Sequence, residues 1–245
     1  MNIALLGYGR MGRDVEQAAT ERGHTVTARF TSHHQLAGAR AISADLDGID
    51  CCIDFSNAAA SIEHIQKIAP LRIPLVVGTT GWHEHLARLT ELVTRCEGTL
   101  FHAANFSVGA HVFFHAVEAA SDLMNRFADY DIAIHEVHHR LKKDAPSGTA
   151  LALAEKILDR VGRKTSIVST LNNAQLLPHE LLVTSSRVGS VAGTHSVFFD
   201  SPVDSLQLTH TAHNRRGFAV GAVRAAEWVR ERTGVFTMDD FLFTK

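Results

Sequence analysis

Two apolar periods alternate along the first hundred residues of this chain. Ile3 to Leu6 is a short apolar run closed by glycine. Met11, Val15, Ala18 and Ala19 then recur at helical spacing through Arg22, and Gly23 supplies a stop. "HTVTARF" alternates as a half-buried strand does, "IDCCIDF" reads as a buried strand, and a helix runs through Ile62, Ile65 and Ile68. "IPLVVG", a helix near Leu86, Leu89 and Val93, and "TLFHA" continue the series. Strands separated by helices of this length predict right-handed βαβ units on a parallel sheet.

After Asn105 the rhythm changes. Val108 to Ala128 reads as one long helix, and "YDIAIHEVH" alternates. A further helix starts at Ser147, with Ala150, Leu151, Ala154, Ile157, Leu158 and Val161 on its apolar face. "ELLVTSSRV", "THSVFFD" and "SLQLTHTA" follow as strands with few helices between them, which predicts a smaller α+β domain on a mixed or antiparallel sheet. Gly217 to Arg232 is helical again and is expected to pack back on the first domain.

Composition narrows the picture by exclusion. Hydrophobic residues make up 45% and charged residues 20%, as in ordinary globular proteins. A formal net charge of -2 offers no excess of positive charge for nucleic acid or an anionic membrane. No apolar run reaches membrane-spanning length, and "MNIALLGYGRMG" lacks the marks of a secretory signal. Cys51, Cys52 and Cys96 form no disulfide framework, so a reducing cytoplasm is expected.

"LLGYGRMG" places Gly7, Gly9 and Gly12 in G-x-G-x-x-G spacing, directly after a strand and at the mouth of a helix. In that context the first glycine permits a tight turn and the second lets backbone approach a pyrophosphate. The third lets helix and strand pack closely. The expected fold class is therefore α/β. A Rossmann-like parallel-sheet domain spans 1–106 and is completed by 217–245, while an α+β domain with a mixed or antiparallel sheet spans 107–216. An Asp or Glu near the end of the second strand would favour NAD. "TARFTSHH" has none there, and its Arg29, Thr31, Ser32 and His33 suit a 2′-phosphate better. NADPH is the expected preference, with NADH as the other candidate.

His135, Glu136 and His139 match H-E-x-x-H, the helical zinc-hydrolase motif. The surrounding alternation, with Ile132, Ile134 and Val137, favours a strand. There His135 and His139 would lie roughly 13 Å apart, too far to share an ion. No third ligand is identifiable, so no metal is expected. Ser147 instead reads as the N-cap of a helix whose first-turn amides lack acceptors, close to His138, His139 and Lys142. A helix start beside a lysine and two histidines suits an anion, above all a carboxylate.

"EVHHRLKKDAPSGTA" (136–150) resembles the signature of the dihydrodipicolinate reductase family, E-x-H-H-x-x-K-x-D-x-P-S-G-T-A. "GYGRMG", "DFS", "GTTG", "AANFSVG" and "GAVRAAEWV" occur in the family's order through the whole chain. The resemblance implies reduction of a cyclic dicarboxylate imine, 4-hydroxy-tetrahydrodipicolinate, by NADPH or NADH in lysine and diaminopimelate biosynthesis. It also implies that 107–216 binds substrate and joins a homotetramer. By motif position it makes His138 the proton donor and acceptor and Lys142 the second donor or electrostatic stabiliser. His139, Gly148, Thr149, Ser147 and Thr80 would hold substrate. Gly7, Tyr8, Gly9, Arg10, Met11, Gly12 and Arg29 would meet the cofactor. Phe55, Gly78, Thr79 and Thr80, with Ala103, Ala104, Asn105 and Phe106, would surround its nicotinamide end. The chain departs from the family at the missing ribose-reading acid and at Ala104, where many members have proline; both bear on the nucleotide.

Two other readings remain distinguishable. A semialdehyde dehydrogenase would need a catalytic cysteine in the second domain, and none lies beyond Cys96. A non-catalytic NADPH sensor would have no need of the His138, Lys142 and Ser147-Gly148-Thr149 set.

Overall fold

The computed structural model describes residues 1–34, 36, 42–171 and 175–243. Met1–Val108 together with Arg216–Lys245 forms one compact unit, and Gly109–Arg215 forms another.

The first unit runs β1 (Asn2–Leu6), α1 (Arg10–Glu21), β2 (Thr25–Phe30), the single turn α2 (Ile42–Asp45), β3 (Cys51–Asp54), α3 (Ala58–Ile68), β4 (Leu75–Val77), α4 (Leu86–Arg95) and β5 (Thr99–His102). After the second unit, built from α5 (Val108–Met124), β6 (Asp131–His138), α6 (Gly148–Arg160), β7 (Ser166–Val168), β8 (Glu180–Arg187), β9 (Gly193–Asp200) and β10 (Ser205–Ala212), the chain adds α7 (Arg216–Val229), β11 (Gly234–Phe236) and α8 (Met238–Phe243).

The first sheet has strand order β11-β5-β4-β3-β1-β2, and all its pairings are parallel. Both faces are covered at its centre, so β3 and β4 are buried at every position, whereas the edge strand β2 alternates. Ile3, Leu5, Cys51 and Ile53 turn toward one core with residues of α1 and α7. Ala4, Leu6, Cys52 and Val77 turn toward the other, with α3 and α4. α7 lies very close to the backbone after β5: a Cβ on Gly221 would fall 1.8 Å from the Phe106 carbonyl oxygen. Only glycine allows that approach.

The second sheet is mixed, in order β10-β9-β6-β8-β7. β6 runs antiparallel to β9 and parallel to β8. α5 and α6 pack on it through Phe113, Val117, Leu153 and Ile157, against Ile132, Ile134 and Phe199. β6 alternates strictly, with Ile132, Ile134, Glu136 and His138 buried on one face. A strand designed to bury apolar side chains thus carries two ionisable ones into the same layer at its C-terminal end.

The pattern misplaced three details. The expected helix to Ala128 stops at Met124, where Arg126 and Phe127 turn back to the carbonyls of Leu123 and Met124. Leu151 on α6 is 38% exposed, and Leu153 takes its place in the core. β7 and β11, three residues each, lie outside the expected strands. Among the described residues, no helix is long and apolar enough to cross a membrane.

Candidate active site

Gly7 leaves β1 with φ +89, a conformation that glycine adopts without strain. Its amide donates to the Phe30 carbonyl at 3.0 Å, which ties the turn to the end of β2. A Cβ on Gly12 would come 2.4 Å from the Gly7 carbonyl oxygen, so helix and turn touch backbone to backbone. Gly9 is the N-cap of α1 without a capping side chain, no acid stands in the first turn, and the space where its Cβ would point is open. Free amides, a positive helix end and an open approach fit a pyrophosphate. Gly7, Tyr8, Gly9, Arg10 and Met11 make up the turn and the first positions of the helix it opens.

Beyond the turn, one cavity is lined by Gly7, Thr31, Ser32, Leu36, His64 and Lys67, among others. Arg29 is not in that lining. Its guanidinium pairs with Glu16 of α1 and stands over the Tyr8 ring at 5.6 Å, while the Tyr8 hydroxyl donates to the same carboxylate. The basic side chains facing the cavity come instead from α3. Lys67 sits 3.5 Å from Glu63, and His64 is fixed through Nδ1 at 2.8 Å to the buried carboxylate of Asp54. Asp54 also accepts from the Ser56 amide and the Thr79 hydroxyl, so it organises the strand ends around it. A second hollow brings together Met11, Phe55, Gly78, Thr79 and Thr80. The Phe55 ring lies flat against Gly78, where a Cβ would fall 2.1 Å from a ring carbon. Phe106 is buried in the first core and tilts against Phe55 at 6.0 Å between ring centroids, whereas Ala104 is exposed and Ala103 and Asn105 are half-buried.

In the second unit, β6 ends at His138, and the chain turns there through a hydrogen bond from the Lys142 amide to the His139 carbonyl. His135 faces Thr184 on β8, 2.7 Å from its hydroxyl, and His139 follows the strand end. The two H-E-x-x-H imidazoles therefore do not share a helical face. Lys142 folds back onto Asp144, both carboxylate oxygens at 2.8 Å, and holds the Asp144 carboxyl below its usual range. Ser147 caps α6, its hydroxyl accepting from the Ala150 amide at 3.2 Å; Gly148 and Thr149 form the first helical positions.

Around His138 lies a buried set that the spacing argument did not pick out. Glu136, wholly buried, receives three donors on Oε1: the Ser147 amide at 3.0 Å, the Ser185 hydroxyl at 2.8 Å and the Arg187 guanidinium at 3.1 Å. Its Oε2 stands 3.4 Å from His138 Nδ1 and 3.6 Å from His195 Nε2. Arg187 also donates to the backbone carbonyls of Lys142 and Asp144, which pins the loop carrying the lysine. His195 Nε2 lies 3.3 Å from the Ser147 hydroxyl, and its ring meets that of His138 edge-on, centroids 5.0 Å apart. Burial works to raise the Glu136 pKa, but hydrogen bonds from Ser147, Ser185 and Arg187 outweigh it, and the carboxylate stays ionised. Burial lowers the pKa of His138; Glu136 opposes that shift, and Lys142 and Arg187 add to it. Burial and then His138 push His195 down to about 4. Glu136 stood inside the quoted motif two residues before His138, and strand alternation put both on one face. Ser185, Arg187 and His195 arrive from other strands and left no local signal.

Residues 1–106 match the family described as Dihydrodipicolinate reductase, N-terminus, and residues 109–242 match its C-terminus. A 4-hydroxy-tetrahydrodipicolinate reductase from Christiangramia forsetii is 38% identical over 99% of this chain and 98% of its own length. One from Archaeoglobus fulgidus is 35% identical over 99% of this chain and 100% of its own. In fold, the chain is similar to a dipicolinate-bound dihydrodipicolinate reductase from Paenisporosarcina sp. TG-14, with TM-score 0.79, 22% identity and 99% of each chain covered.

Proposed function

The chain belongs to the dihydrodipicolinate reductase family, and on that premise we propose that it reduces 4-hydroxy-tetrahydrodipicolinate with a nicotinamide nucleotide, in diaminopimelate and lysine biosynthesis. One observation supports the reading most: the Ser147 amide at the start of α6 donates to Glu136, which stands beside His138 at the end of β6, and Lys142 in the following loop acts on His138 electrostatically.

The Gly7 to Gly12 turn holds the nucleotide phosphates, with Tyr8, Arg10 and Met11 beside it. Phe55, Gly78, Thr79 and Thr80 with Ala103, Ala104, Asn105 and Phe106 form the nicotinamide end. The bound nucleotide supplies hydride. The first-turn amides of α6, at Gly148 and Thr149, have no helical acceptor and take a substrate carboxylate, with His139 and Ser147 completing the hold; Thr80 of the first unit is assigned to substrate by motif position alone. His138 gives the proton that quenches the charge left on the ring after reduction. Lys142 exchanges its Asp144 partner for the substrate and offsets that developing charge.

Lys142→Ala should therefore damage both binding and turnover. Each charge-assisted hydrogen bond to a carboxylate contributes about 1.5–3 kcal/mol, so KM should rise roughly tenfold or more and kcat should fall as well. Steady-state kinetics check this, and near-normal values would remove Lys142 from the site.

NADPH is the proposed preference. It is supported by the Thr31 and Ser32 hydroxyls with His64 and Lys67 in the cavity beside β2, and by the lack of a carboxylate on the strand end itself; Glu63, which lines the same cavity and pairs with Lys67, works against it. Arg29, already neutralised by Glu16, supports it less. Initial rates with both nucleotides should favour NADPH; a strong NADH preference would refute the assignment. Loss of absorbance at the NADPH band only when the cyclic substrate is supplied separates this enzyme from a nucleotide sensor. The same reading carries a cytoplasmic homotetramer joined through the second unit, whose sheet ends in the edge strand β10; sedimentation measures its size.

A further inference from the structure

We propose that Glu136 is the positioning residue of the proton-transfer step: it keeps a proton on His138 Nδ1 and so reserves Nε2 for exchange with the substrate ring. The inference rests on His138 being the acid.

The geometry of the carboxylate carries the argument. Three donors from β8 and the α6 start converge on Oε1, so the group cannot turn. Oε2 is thereby held 3.4 Å from His138 Nδ1 and 3.6 Å from His195 Nε2, and both Oε2 and Nδ1 are buried with no hydrogen-bond partner, so a small approach between them satisfies the two atoms at once. A buried acceptor and a buried ring nitrogen facing each other are left costly unless a proton lies between them. At the other end of the ring, Nε2 lies beside Gly193, where a Cβ would stand only 3.0 Å off. The absent side chain leaves Nε2 the room its partner needs.

Glu136, His138 and His195 each bring one potential ligand atom within 4.8 Å of the others, a spacing that a divalent metal could also use. Charge favours the proton. The Arg187 guanidinium already bonds this carboxylate, and Lys142 adds a second positive charge nearby. A metal ion would place two further charges among them. The charged and titratable groups around His138 are Glu136 on β6, Lys142 and Asp144 in the following loop, Arg187 on β8 and His195 on β9, with His210 beyond His195. His195 stays neutral above about pH 4, so His138 is the imidazole that takes the charge.

The step then balances. The imidazolium Nε2–H bond breaks, its electron pair stays on the ring, and the proton goes to the atom left negative by hydride. His138 remains as the neutral Nδ1–H tautomer against Glu136, and solvent reprotonates Nε2.

Glu136→Gln tests this directly. The amide oxygen can keep the three donors of Oε1. The amide nitrogen then stands where Oε2 was, donates to Nδ1 and forces the proton onto Nε2. We expect kcat to fall about 10- to 100-fold, with substrate KM changed less than about threefold. Removing the opposite charge lowers the His138 pKa, so the alkaline limb of the pH–rate profile should move to lower pH by about one unit or more. Nitrogen-15 NMR should report His138 as Nδ1–H in the wild type at neutral pH and as Nε2–H in the variant. Lost activity with an unmoved limb and an unchanged tautomer would mark a structural role and overturn the inference, as would unchanged kinetics. If the variant does not fold, the wild-type tautomer decides alone, and Nε2–H overturns the inference. His138→Gln is measured alongside. If it keeps near-normal rates, the site assignment itself falls, which separates that failure from failure of the Glu136 role.

Discussion

With His138 as the proposed acid, His138→Ala should lower turnover by roughly 10²–10⁴, the usual contribution of a positioned general acid. The variant should still bind the dicarboxylate, because the α6 amides and Lys142 are untouched. It should also stay folded: truncating His138 removes one ring from a cluster in which Glu136 remains bonded to Ser147, Ser185 and Arg187. The pH profile gives a second reading of the same variant. Burial holds the His138 pKa below the ordinary histidine value in the free protein. Wild-type kcat/KM, which reports the free enzyme, should therefore decline as pH rises through that lowered value, because the acid must be protonated to act. The limb for kcat should lie higher, since a dianionic substrate beside the ring stabilises the imidazolium. In His138→Ala this dependence disappears. Wild-type turnover in the variant, or a profile unchanged in shape, would assign the proton to another group.

Gly221→Ala has the largest expected effect on stability. The added methyl would point at the Phe106 carbonyl oxygen from 1.8 Å, and the obstacle is backbone, which cannot swing aside as a flexible side chain does. Either α7 lifts from the sheet or the segment after β5 moves. Forcing extra volume into such a contact costs about 3 kcal/mol, which lowers Tm by roughly 6–12 °C in a protein of this size. Gly162→Ala is the control: nothing lies within 4 Å of its added Cβ, so its Tm should stay near that of the wild type. Equal melting of the two variants in a thermal scan would show that the α7 contact yields to the added methyl without cost. Because Phe106 belongs to the proposed nicotinamide end, Gly221→Ala should also weaken nucleotide binding.

Sequence pattern reveals what is local. β1, β3, β4 and β5 follow from short apolar runs, β2 from alternation, and α1, α3 and α4 from helical spacing, because the inner strands of a sheet covered on both faces are apolar throughout; the single turn α2 left no such signal. β7 and β11 escape notice because three residues carry no period, and each is a strand only through its partner, β8 or β5. α5 misleads at its end because Phe127 continues the apolar pattern although it is 53% exposed. Leu151 and Leu153 are both apolar and two apart, so spacing could not say which one α6 would bury. In the site, His138, Lys142 and Ser147 are close in sequence and legible as one motif. Arg187 and His195 reach Glu136 across 51 and 59 positions of chain and become neighbours only when β8 and β9 pair with β6.

The order of segments in the first unit has a consequence during synthesis. α7, β11 and α8 reach that unit only after Gly109–Arg215 has been made. A nascent chain paused there holds a finished second unit and an unfinished first one. Ile3, Leu5 and Ile53 still lack the cover of Ala219, Val223 and Val229. Units fold as they are completed, so the unit encoded in the middle is complete before the one encoded first, whose α1-side core is closed last.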